Sequence, residues 1–286
     1  MKISVYITSY NQKEYLREAI DSVLKQTLTP FEIIIVDDCS SDGSQKLIEE
    51  YAKKFKFIKY FFHKKNRGVS QVRFTALSNV KGDFVTYLDG DDVYLPNKLE
   101  IESNLLKDNS SDVAFTNNMY VNPDNLNDIK WIWAANKIKL NSNLFAQTIA
   151  RDFPRRSLFR MELINYELLK EVGFHDVNLK IYEDYDLRIR LAKKAKISCS
   201  IEPTSKIRIS KKGLSKANKE EHIKAYQYIY NKYKTDIDKL DETLRNEVLA
   251  KMKRNLNKFY ENDKVITDIG LRERVKNKLQ LLIKKL

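Results

Sequence analysis

The stretch Phe84-Val85-Thr86-Tyr87-Leu88 has the apolar character of a β-strand and runs directly into Asp89-Gly90-Asp91-Asp92. Carboxylates packed this closely repel one another and raise each other's pKa values unless a cation lies among them. Mg²⁺ is usually held by one or two carboxylates together with substrate phosphates. The stretch therefore predicts a metal and diphosphate site at a strand end. An ordinary turn is the alternative, since Asp and Gly are common turn residues.

Two earlier predicted strands also end in polar residues. Residues 3–7 are followed by Thr8-Ser9-Tyr10-Asn11, and residues 31–36 are followed by Asp37-Asp38. Amphipathic helical patterns lie between the strands, which is typical of a mostly parallel sheet with helices on both faces. Ligands of such sheets bind at the carboxyl ends of the strands, so this convergence favours a binding site over a turn.

The connection after the first strand carries no glycine-rich nucleotide motif. Neither G-x-G-x-x-G in this position nor G-x-x-x-x-G-K-[ST] anywhere in the chain is found, which argues against dinucleotide-binding and P-loop proteins. Asn11 and Glu14 instead have the spacing of a capping box. This spacing predicts Asn11 as the N-cap of the first helix.

Composition and the absence of long apolar runs allow a prediction of where the protein is found in the cell. The chain has 286 residues, of which 32% are charged, and a mean hydropathy of −0.53. It contains no run of about 18 apolar residues, which excludes a membrane-spanning helix. Its first residues also lack the pattern of a signal peptide. We therefore expect a cytoplasmic protein.

Charge and metal-ligand residues narrow the choice of partner. The two cysteines and three histidines lack the spacing of a metal site, so any metal must be bound by carboxylates. The formal net charge of +13 predicts an anionic partner. Nucleic acid, an anionic membrane surface and a phosphate-bearing substrate all fit that charge.

The second half of the chain is less regular. A short strand is predicted at residues 113–116, and an Asn- and Asp-rich stretch follows at 117–143. Farther along, Leu187 and Leu191 are four residues apart, which predicts a helix with Glu183 and Asp184 in its first turn. The helix dipole favours the ionised form of carboxylates in that position.

Five segments in order along the chain resemble the motifs of family 2 glycosyltransferases, which have the GT-A fold. They are residues 5–11, 34–44, 66–68, 87–92 and 182–187. The resemblance implies an α/β fold, a Rossmann-like and mostly parallel sheet flanked by helices. It implies a GT-A domain at residues 1–217, with a nucleotide-binding half at 1–117 and an acceptor-binding half at 118–217. A basic helical C-terminal extension at 218–286 is not covered by the resemblance.

The resemblance also implies an enzyme, a hexosyl- or N-acetylhexosaminyltransferase. Such an enzyme would transfer a sugar with inversion from a nucleotide diphosphate donor, expected to be UDP-linked, and would use Mn²⁺ or Mg²⁺. The implied acceptor is a saccharide or lipid-linked saccharide in cell-surface polysaccharide synthesis. An inactive scaffold that only binds sugar nucleotides is the alternative within the same fold.

The resemblance assigns Thr8, Tyr10 and Asp38 to the nucleotide pocket. Tyr10 would pack against the base, and Asp38 would recognise the edge of the base. Each also has a purely structural explanation. Tyr10 could be a core aromatic residue, because aromatic side chains usually serve packing, and Asp38 could cap a loop.

By the same resemblance, Asp89 and Asp91 correspond to the family's D-x-D pair. Asp91 is the expected metal ligand, and Asp89 is expected to contact the metal or the ribose. Asp92 is expected only to cap the segment that follows. Arg73 is assigned to the diphosphate or the donor sugar.

Asp184 matches the position of the family's catalytic base, with Glu183 as its rival. An inverting transfer needs one carboxylate to accept the proton of the acceptor hydroxyl as that oxygen attacks the anomeric carbon. Neighbouring residues on a helical turn point in different directions, so we expect only one of the two to face the acceptor. An acidic first turn is also ordinary helix chemistry.

Further candidates lie outside these motifs. Trp131 and Trp133 are two residues apart, as on one face of a strand, and are acceptor-site candidates, although tryptophan more often serves packing. Many family members have a histidine near residues 207–215, which this chain lacks. Lys211 and Lys212 could contact the diphosphate in its place, or the loop could act as a lid.

The last residues, 271–286, combine an apolar helical face with many lysines and arginines. This pattern fits a helix lying on an anionic membrane surface, which would place the protein at the inner face of the membrane. It fits equally a helix packed on its own domain or on a second copy in a homodimer. Nucleic-acid binding is disfavoured, because the strand ends converge on carboxylates that would repel a phosphate backbone.

Overall fold

The computed structural model describes residues 1–134, 137–209 and 218–261, with the side chains of 258–261 excepted. Its first part alternates strands and helices, as the sequence predicts. The elements are β1 (Ile3–Ser9), α1 (Lys13–Leu24), β2 (Glu32–Asp37), α2 (Ser44–Lys54), β3 (Ile58–Phe62), α3 (Val69–Leu77) and β4 (Phe84–Asp89). The strands β1 and β2 are almost wholly buried because helices cover both faces of the sheet.

The second part is less regular. It contains β5 (Val93–Tyr94), α4 (Lys98–Asn109), β6 (Val113–Asn122), β7 (Asn125–Ile132), α5 (Leu144–Ile149), a 3₁₀ turn (Pro154–Arg156), β8 (Leu163–Asn165), α6 (Tyr166–Val172), α7 (Glu183–Ala192) and β9 (Ile197–Arg208). The strand predicted at 113–116 therefore continues to Asn122 and forms a hairpin with β7.

The described strands form one sheet in the order β3-β2-β1-β4-β8-β6-β9-β5, with β7 paired to β6. The strands β3, β2, β1 and β4 are mutually parallel, and β6 is parallel to β9. The short strand β8 runs antiparallel to both β4 and β6 and joins the two parts. The mixed α/β fold with a mostly parallel sheet is confirmed.

The start of α1 differs from the prediction. The helix begins at Lys13, and Asn11 is not its N-cap but adopts a left-handed backbone with φ 51°. Its side-chain oxygen accepts a 2.8 Å hydrogen bond from the backbone N–H of Ser41. Asn11 thus ties the loop after β1 to the loop after β2, the two loops that border the predicted nucleotide pocket.

Two helices, α8 (Lys219–Asp238) and α9 (Glu242–Glu261), form the helical C-terminal part. Helix α8 packs against α7, where the Tyr233 hydroxyl donates a 2.8 Å hydrogen bond to Asp186 and Tyr182 bonds to His222 at the same distance. The division at residue 217 stays a prediction, and the basic segment 271–286 lies outside the described residues. None of the described helices is long and apolar enough to cross a bilayer.

Candidate active site

The acidic cluster lies at the carboxyl end of β4, beside the carboxyl end of β1. Residues Thr8 and Asp89 are register partners in the parallel pair β1/β4. A Cβ atom at Gly90 would collide with the carbonyl oxygen of Thr8. Glycine is therefore required here for the two strand ends to approach each other so closely.

Asp89 is surrounded by donors. Its Oδ1 accepts hydrogen bonds from Arg73 Nη2 at 2.9 Å and from Thr8 Oγ1 at 3.2 Å. Arg160 Nη2 lies 3.9 Å from its Oδ2. The structure thus brings together Thr8, Arg73 and Asp89, three of the predicted donor-site residues.

Asp91 has a different environment. Burial, followed by the negative charge of Asp89, raises the pKa of its carboxyl group. A hydrogen bond from its own backbone N–H partly offsets this rise, and no other described residue forms a hydrogen bond or ion pair with the Asp91 carboxylate. Asp92 is buried and accepts a 2.8 Å hydrogen bond from the backbone N–H of Arg208, so it fixes the end of β9.

The fit of a metal to this cluster is partial. The described residues contain no group of three or more His, Cys, Asp or Glu side chains that could hold a metal ion. Asp91 nevertheless has free acceptor oxygens and a disfavoured charge, and Asp89 is its neighbour. This donor set fits Mg²⁺ or Mn²⁺ that takes its remaining ligands from a diphosphate and water, which is how Mg²⁺ is commonly bound.

On the nucleotide side, Asp38 is buried at the carboxyl end of β2. Its carboxylate accepts hydrogen bonds from the backbone N–H groups of Arg67 and Gly68 at 2.8–3.0 Å. It also pairs with His63 Nδ1 at 2.7 Å. Asp38 therefore fixes the 66–68 loop, while the Tyr10 side chain is exposed and open to stacking.

Arg73 connects the cluster to α7. Its guanidinium is buried, lies 4.4 Å over the ring of Tyr87 and is 3.6 Å from the carboxylate of Glu183. Nε and Nη1 of Arg73 have no hydrogen-bond partner among the described residues. Buried guanidinium donors without partners favour an anionic ligand at this position.

Glu183 and Asp184 begin α7, and their carboxylates pair with different arginines, Arg73 and Arg188. Burial and then the charge of Asp184 raise the pKa of Glu183 to about 7. Burial alone would also raise the pKa of Asp184, but Arg188 Nη1 at 2.5 Å lowers it strongly. Asp184 is thus ionised at neutral pH, and its side chain is 28% exposed, against 7% for Glu183.

Four site residues were missed from the sequence. Arg160 approaches Asp89, Arg188 pairs with both Asp184 and Glu162, and Arg208 donates to the carbonyl oxygen of Asp91. Arg188 follows Asp184 by one helical turn, a spacing that predicts an ion pair. The other three are isolated in sequence and carry no local signal.

The two tryptophans have different environments. The Trp133 side chain is buried, and its Nε1 donates a 3.0 Å hydrogen bond to the carbonyl oxygen of Pro154. Trp131 is partly exposed and stacks on Tyr120, with ring centroids 5.0 Å apart. Of the pair, only Trp131 can reach solvent. Lys211 and Lys212 lie outside the described residues.

The chain matches the family model "Glycosyl transferase family 2" over residues 4–166. It belongs to this glycosyltransferase family. An uncharacterized glycosyltransferase of Rickettsia conorii is 35% identical over 209 residues, which are 73% of this chain and 33% of that protein. A cholesterol galactosyltransferase of Borreliella burgdorferi is 43% identical over 113 residues, 40% of this chain and 31% of that protein. The chain therefore spans about a third of the length of these relatives.

Solved structures agree in fold. The S. aureus TarS 1–349 structure in complex with UDP-GlcNAc superposes with a TM-score of 0.69 at 23% identity, covering 93% of this chain and 77% of that one. A mannosyltransferase of Pyrobaculum calidifontis, in complex with GDP-Man and Mn²⁺, gives 0.57 at 13% identity, with 99% and 80% covered. The GT-A type of fold expected from the sequence is confirmed.

Proposed function

We propose that the protein transfers a sugar, with inversion, from a UDP-linked donor to a saccharide or lipid-linked saccharide acceptor. The observation that carries this proposal is the row Asp91, Asp89, Arg73, Glu183 and Asp184, in which Arg73 of α3 links the end of β4 to the first turn of α7. It runs from the Asp91 carboxylate, which no other described residue binds, through a buried arginine with unused donors, to the partly exposed carboxylate of Asp184. Along this row, Asp91 would bind the metal, Arg73 would bind the diphosphate and Asp184 would act as the base.

Three features support the binding of a UDP-linked donor. Tyr10 is exposed and follows Ser9, whose carbonyl oxygen accepts a 2.9 Å hydrogen bond from the backbone N–H of Asp38, so a base can stack on the Tyr10 ring next to Asp38. Arg73 binds Asp89 through Nη2 and keeps donors without a hydrogen-bond partner, which a diphosphate at the cluster could use. A structural neighbour binds UDP-GlcNAc, which makes UDP-sugars the first donors to test and supports the hexosyl or N-acetylhexosaminyl class.

Asp91, with Asp89 beside it, is the proposed binding site for Mn²⁺ or Mg²⁺. When bound, the ion would offset negative charge on the leaving diphosphate. Asp89 keeps its bonds to Thr8 and Arg73, so it would also orient Arg73. A neighbour with the same type of fold holds Mn²⁺ together with its nucleotide sugar.

Asp184 is the proposed general base. It would take the proton of the acceptor hydroxyl while that oxygen bonds to the anomeric carbon and the carbon–oxygen bond to the diphosphate breaks, releasing UDP. The exposure of its side chain, 28% against 7% for Glu183, favours Asp184 as the carboxylate that an acceptor can reach. Arg188 holds the Asp184 carboxylate ionised and in one orientation.

The acceptor class is inferred from the relatives of the chain. One relative carries the name of a cholesterol galactosyltransferase, so a lipid-bearing acceptor occurs among proteins similar to this one. A saccharide or lipid-linked saccharide used in cell-surface polymers is the acceptor class we infer.

Thermal shift with a panel of nucleotide sugars, with and without Mn²⁺, tests the donor half. Stabilisation by UDP-sugars that depends on the metal is expected, and no stabilisation by any nucleotide sugar would contradict the proposal.

The variant Asp184→Asn tests the proposed role of Asp184 as general base. It should retain that stabilisation and lose transfer, whereas a folded variant that still turns over near the wild-type rate would refute the role of Asp184. Donor binding without transfer to any acceptor would indicate an inactive scaffold.

A further inference from the structure

Residues 153–156, here called the arginine strap, have an unusual backbone. Arg155 and Arg156 both lie in the left-handed region, with φ of 55° and 54°. Residues with a Cβ atom are strained in this region, and such strain persists only where the surrounding structure imposes it. Strained backbone of this kind is concentrated at functional sites.

A buried tryptophan imposes the conformation of the strap. Trp133 Nε1 donates its hydrogen bond to the carbonyl oxygen of Pro154. The indole also stacks on Phe153, with centroids 6.3 Å apart, and meets the ring of Phe115 edge-on. The backbone N–H of Arg156 closes the turn with a 2.9 Å hydrogen bond to Phe153. The strap is therefore anchored to the core and presents its arginines outward.

The guanidinium of Arg155 is held by an aromatic pair. It lies 5.3 Å over the ring of Trp131, which in turn stacks on Tyr120 at an interplanar angle of 18°. These two rings are direct partners across the strands β6 and β7. Stacking on aromatic faces suits arginine and restricts its rotamers, so less freedom is lost when a ligand binds.

No carboxylate of the described residues pairs with this cation. Arg155 is exposed, and within residues 1–134, 137–209 and 218–261 no carboxylate forms an ion pair with it. The rings beneath it offer no negative charge. A guanidinium in this state matches the two oxygens of a carboxylate or a phosphate, which it can bind with two parallel hydrogen bonds.

The strap borders the candidate active site. Tyr120 lies close enough to Arg160 to contribute to that arginine's raised pKa, and Arg160 Nη2 is 3.9 Å from Asp89. Arg160 and the stacked pair of Tyr120 and Trp131 therefore lie between the acidic cluster and Arg155, with Tyr120 within electrostatic range of Arg160. The strap lies in the part of the chain that the sequence assigns to the acceptor.

We propose that Arg155, held by Trp131 and Tyr120, binds an anionic group, a carboxylate or a phosphate, on the acceptor saccharide. The proposal rests on the proposed glycosyl transfer and names its acceptor class. Because the strap lies beyond Arg160 from Asp89, the charged group belongs to a part of the acceptor away from the reacting hydroxyl. Trp131 acts through Arg155 and is a positioning residue, as is Trp133 through Pro154.

Two pairs of probes that differ only in charge test this proposal. Trigalacturonate is compared with its methyl ester, and a phosphate monoester of maltotriose with maltotriose itself. Binding to the full chain is measured by calorimetry in the presence of UDP and Mn²⁺, for wild type, Arg155→Gln and Arg254→Gln. Arg254 is an exposed arginine on α9, so its replacement removes the same charge elsewhere. Thermal stabilisation by UDP-GlcNAc is measured on the same samples.

We expect wild type to bind the charged member of at least one pair about tenfold more tightly than its neutral partner, and that pair identifies carboxylate or phosphate. Arg155→Gln should lose this preference, while Arg254→Gln keeps it. Equal binding within both pairs, including no measurable binding, would overturn the proposal, as would an equal loss in the two variants. Stabilisation by UDP-GlcNAc should be unchanged in Arg155→Gln. If UDP-GlcNAc does not stabilise the wild-type protein, the proposed function is contradicted, whatever the calorimetry shows for the charged probes.

Discussion

The ammonium group of Lys98 donates a 2.7 Å hydrogen bond to the carbonyl oxygen of Met161. Both residues are fully buried, and Met161 has a left-handed backbone with φ 56°. Met161 lies between Arg160, which approaches Asp89, and Glu162, which pairs with Arg188. Lys98, the first residue of α4, therefore fixes the segment 160–162, which carries two side chains of the candidate active site, Arg160 and Glu162.

Replacing Lys98 with methionine should destabilise the protein strongly. Lys98 is paired with Glu102 at 2.5 Å, and both side chains are inaccessible to solvent. At pH 8, above the pKa of about 7 that burial gives Glu102, removing Lys98 should cost about 3–5 kcal/mol, because the Glu102 carboxyl group must either stay charged without its partner or take up a proton. Urea denaturation measures the loss.

Two further variants distinguish the loss of a buried ion-pair partner from a packing defect. Lys107→Met changes an exposed lysine on the same helix and should leave the free energy of unfolding within about 0.5 kcal/mol of wild type. In the double variant Lys98→Met/Glu102→Leu no charge is left behind, so part of the stability should return. A double variant no more stable than Lys98→Met would contradict the ion-pair explanation.

Stability should fall between about pH 5 and pH 8. Burial raises the pKa of Glu183 to about 7, and that of Glu102 likewise to about 7. The folded protein thus holds protons that the unfolded chain releases near pH 4.5, so stability from these groups is complete below that pH and is lost as pH rises through 7. Glu183→Gln removes one titrating group and should flatten the dependence of Tm on pH.

The matched control is Glu167→Gln, whose carboxylate on α6 is mostly exposed. Its pH profile should follow that of wild type. A Glu183→Gln profile as steep as the wild-type one would mean that Glu183 titrates near its ordinary pKa in the folded protein.

The sequence was most informative where apolar runs end in polar residues. The strands β1, β2 and β4 followed from continuous apolar segments separated by amphipathic helices. The meeting of Thr8 with Asp89 followed from the rule that parallel strands end at the same edge. These features are local or depend on one general rule of topology, which is why a single sequence suffices.

Side chains that reach the site from distant segments were not predictable in this way. Arg160 lies in the loop before β8, and Arg208 is the last residue of β9. Neither residue belongs to a motif. The extension of β6 through Asn117 was also missed. Its amide donates to the backbone oxygens of Ala134 and Ile201, long-range bonds that let a polar residue continue a buried strand.

Gly90→Ala should lower both stability and donor binding. The added methyl group would strike the carbonyl oxygen of Thr8, a backbone atom that cannot move without shifting β1. Overpacking of this kind costs about 1–3 kcal/mol. Denaturation should show this loss, and the UDP-sugar concentration needed for half-maximal thermal stabilisation should rise. An unchanged affinity would show that the approach of the two strand ends does not shape the donor site.

Asp91→Asn should have opposite effects on the ligand-free and ligand-bound protein. Burial and the charge of Asp89 raise the pKa of Asp91, so its ionised form is disfavoured, and a neutral amide should raise the ligand-free Tm at pH 8. A ligand at 100 times its Kd stabilises the folded state by about 2.7 kcal/mol, and this gain should disappear for UDP with Mn²⁺. Asp124→Asn, an exposed change, should alter neither value. Retained metal-dependent stabilisation in Asp91→Asn would exclude Asp91 as the metal ligand.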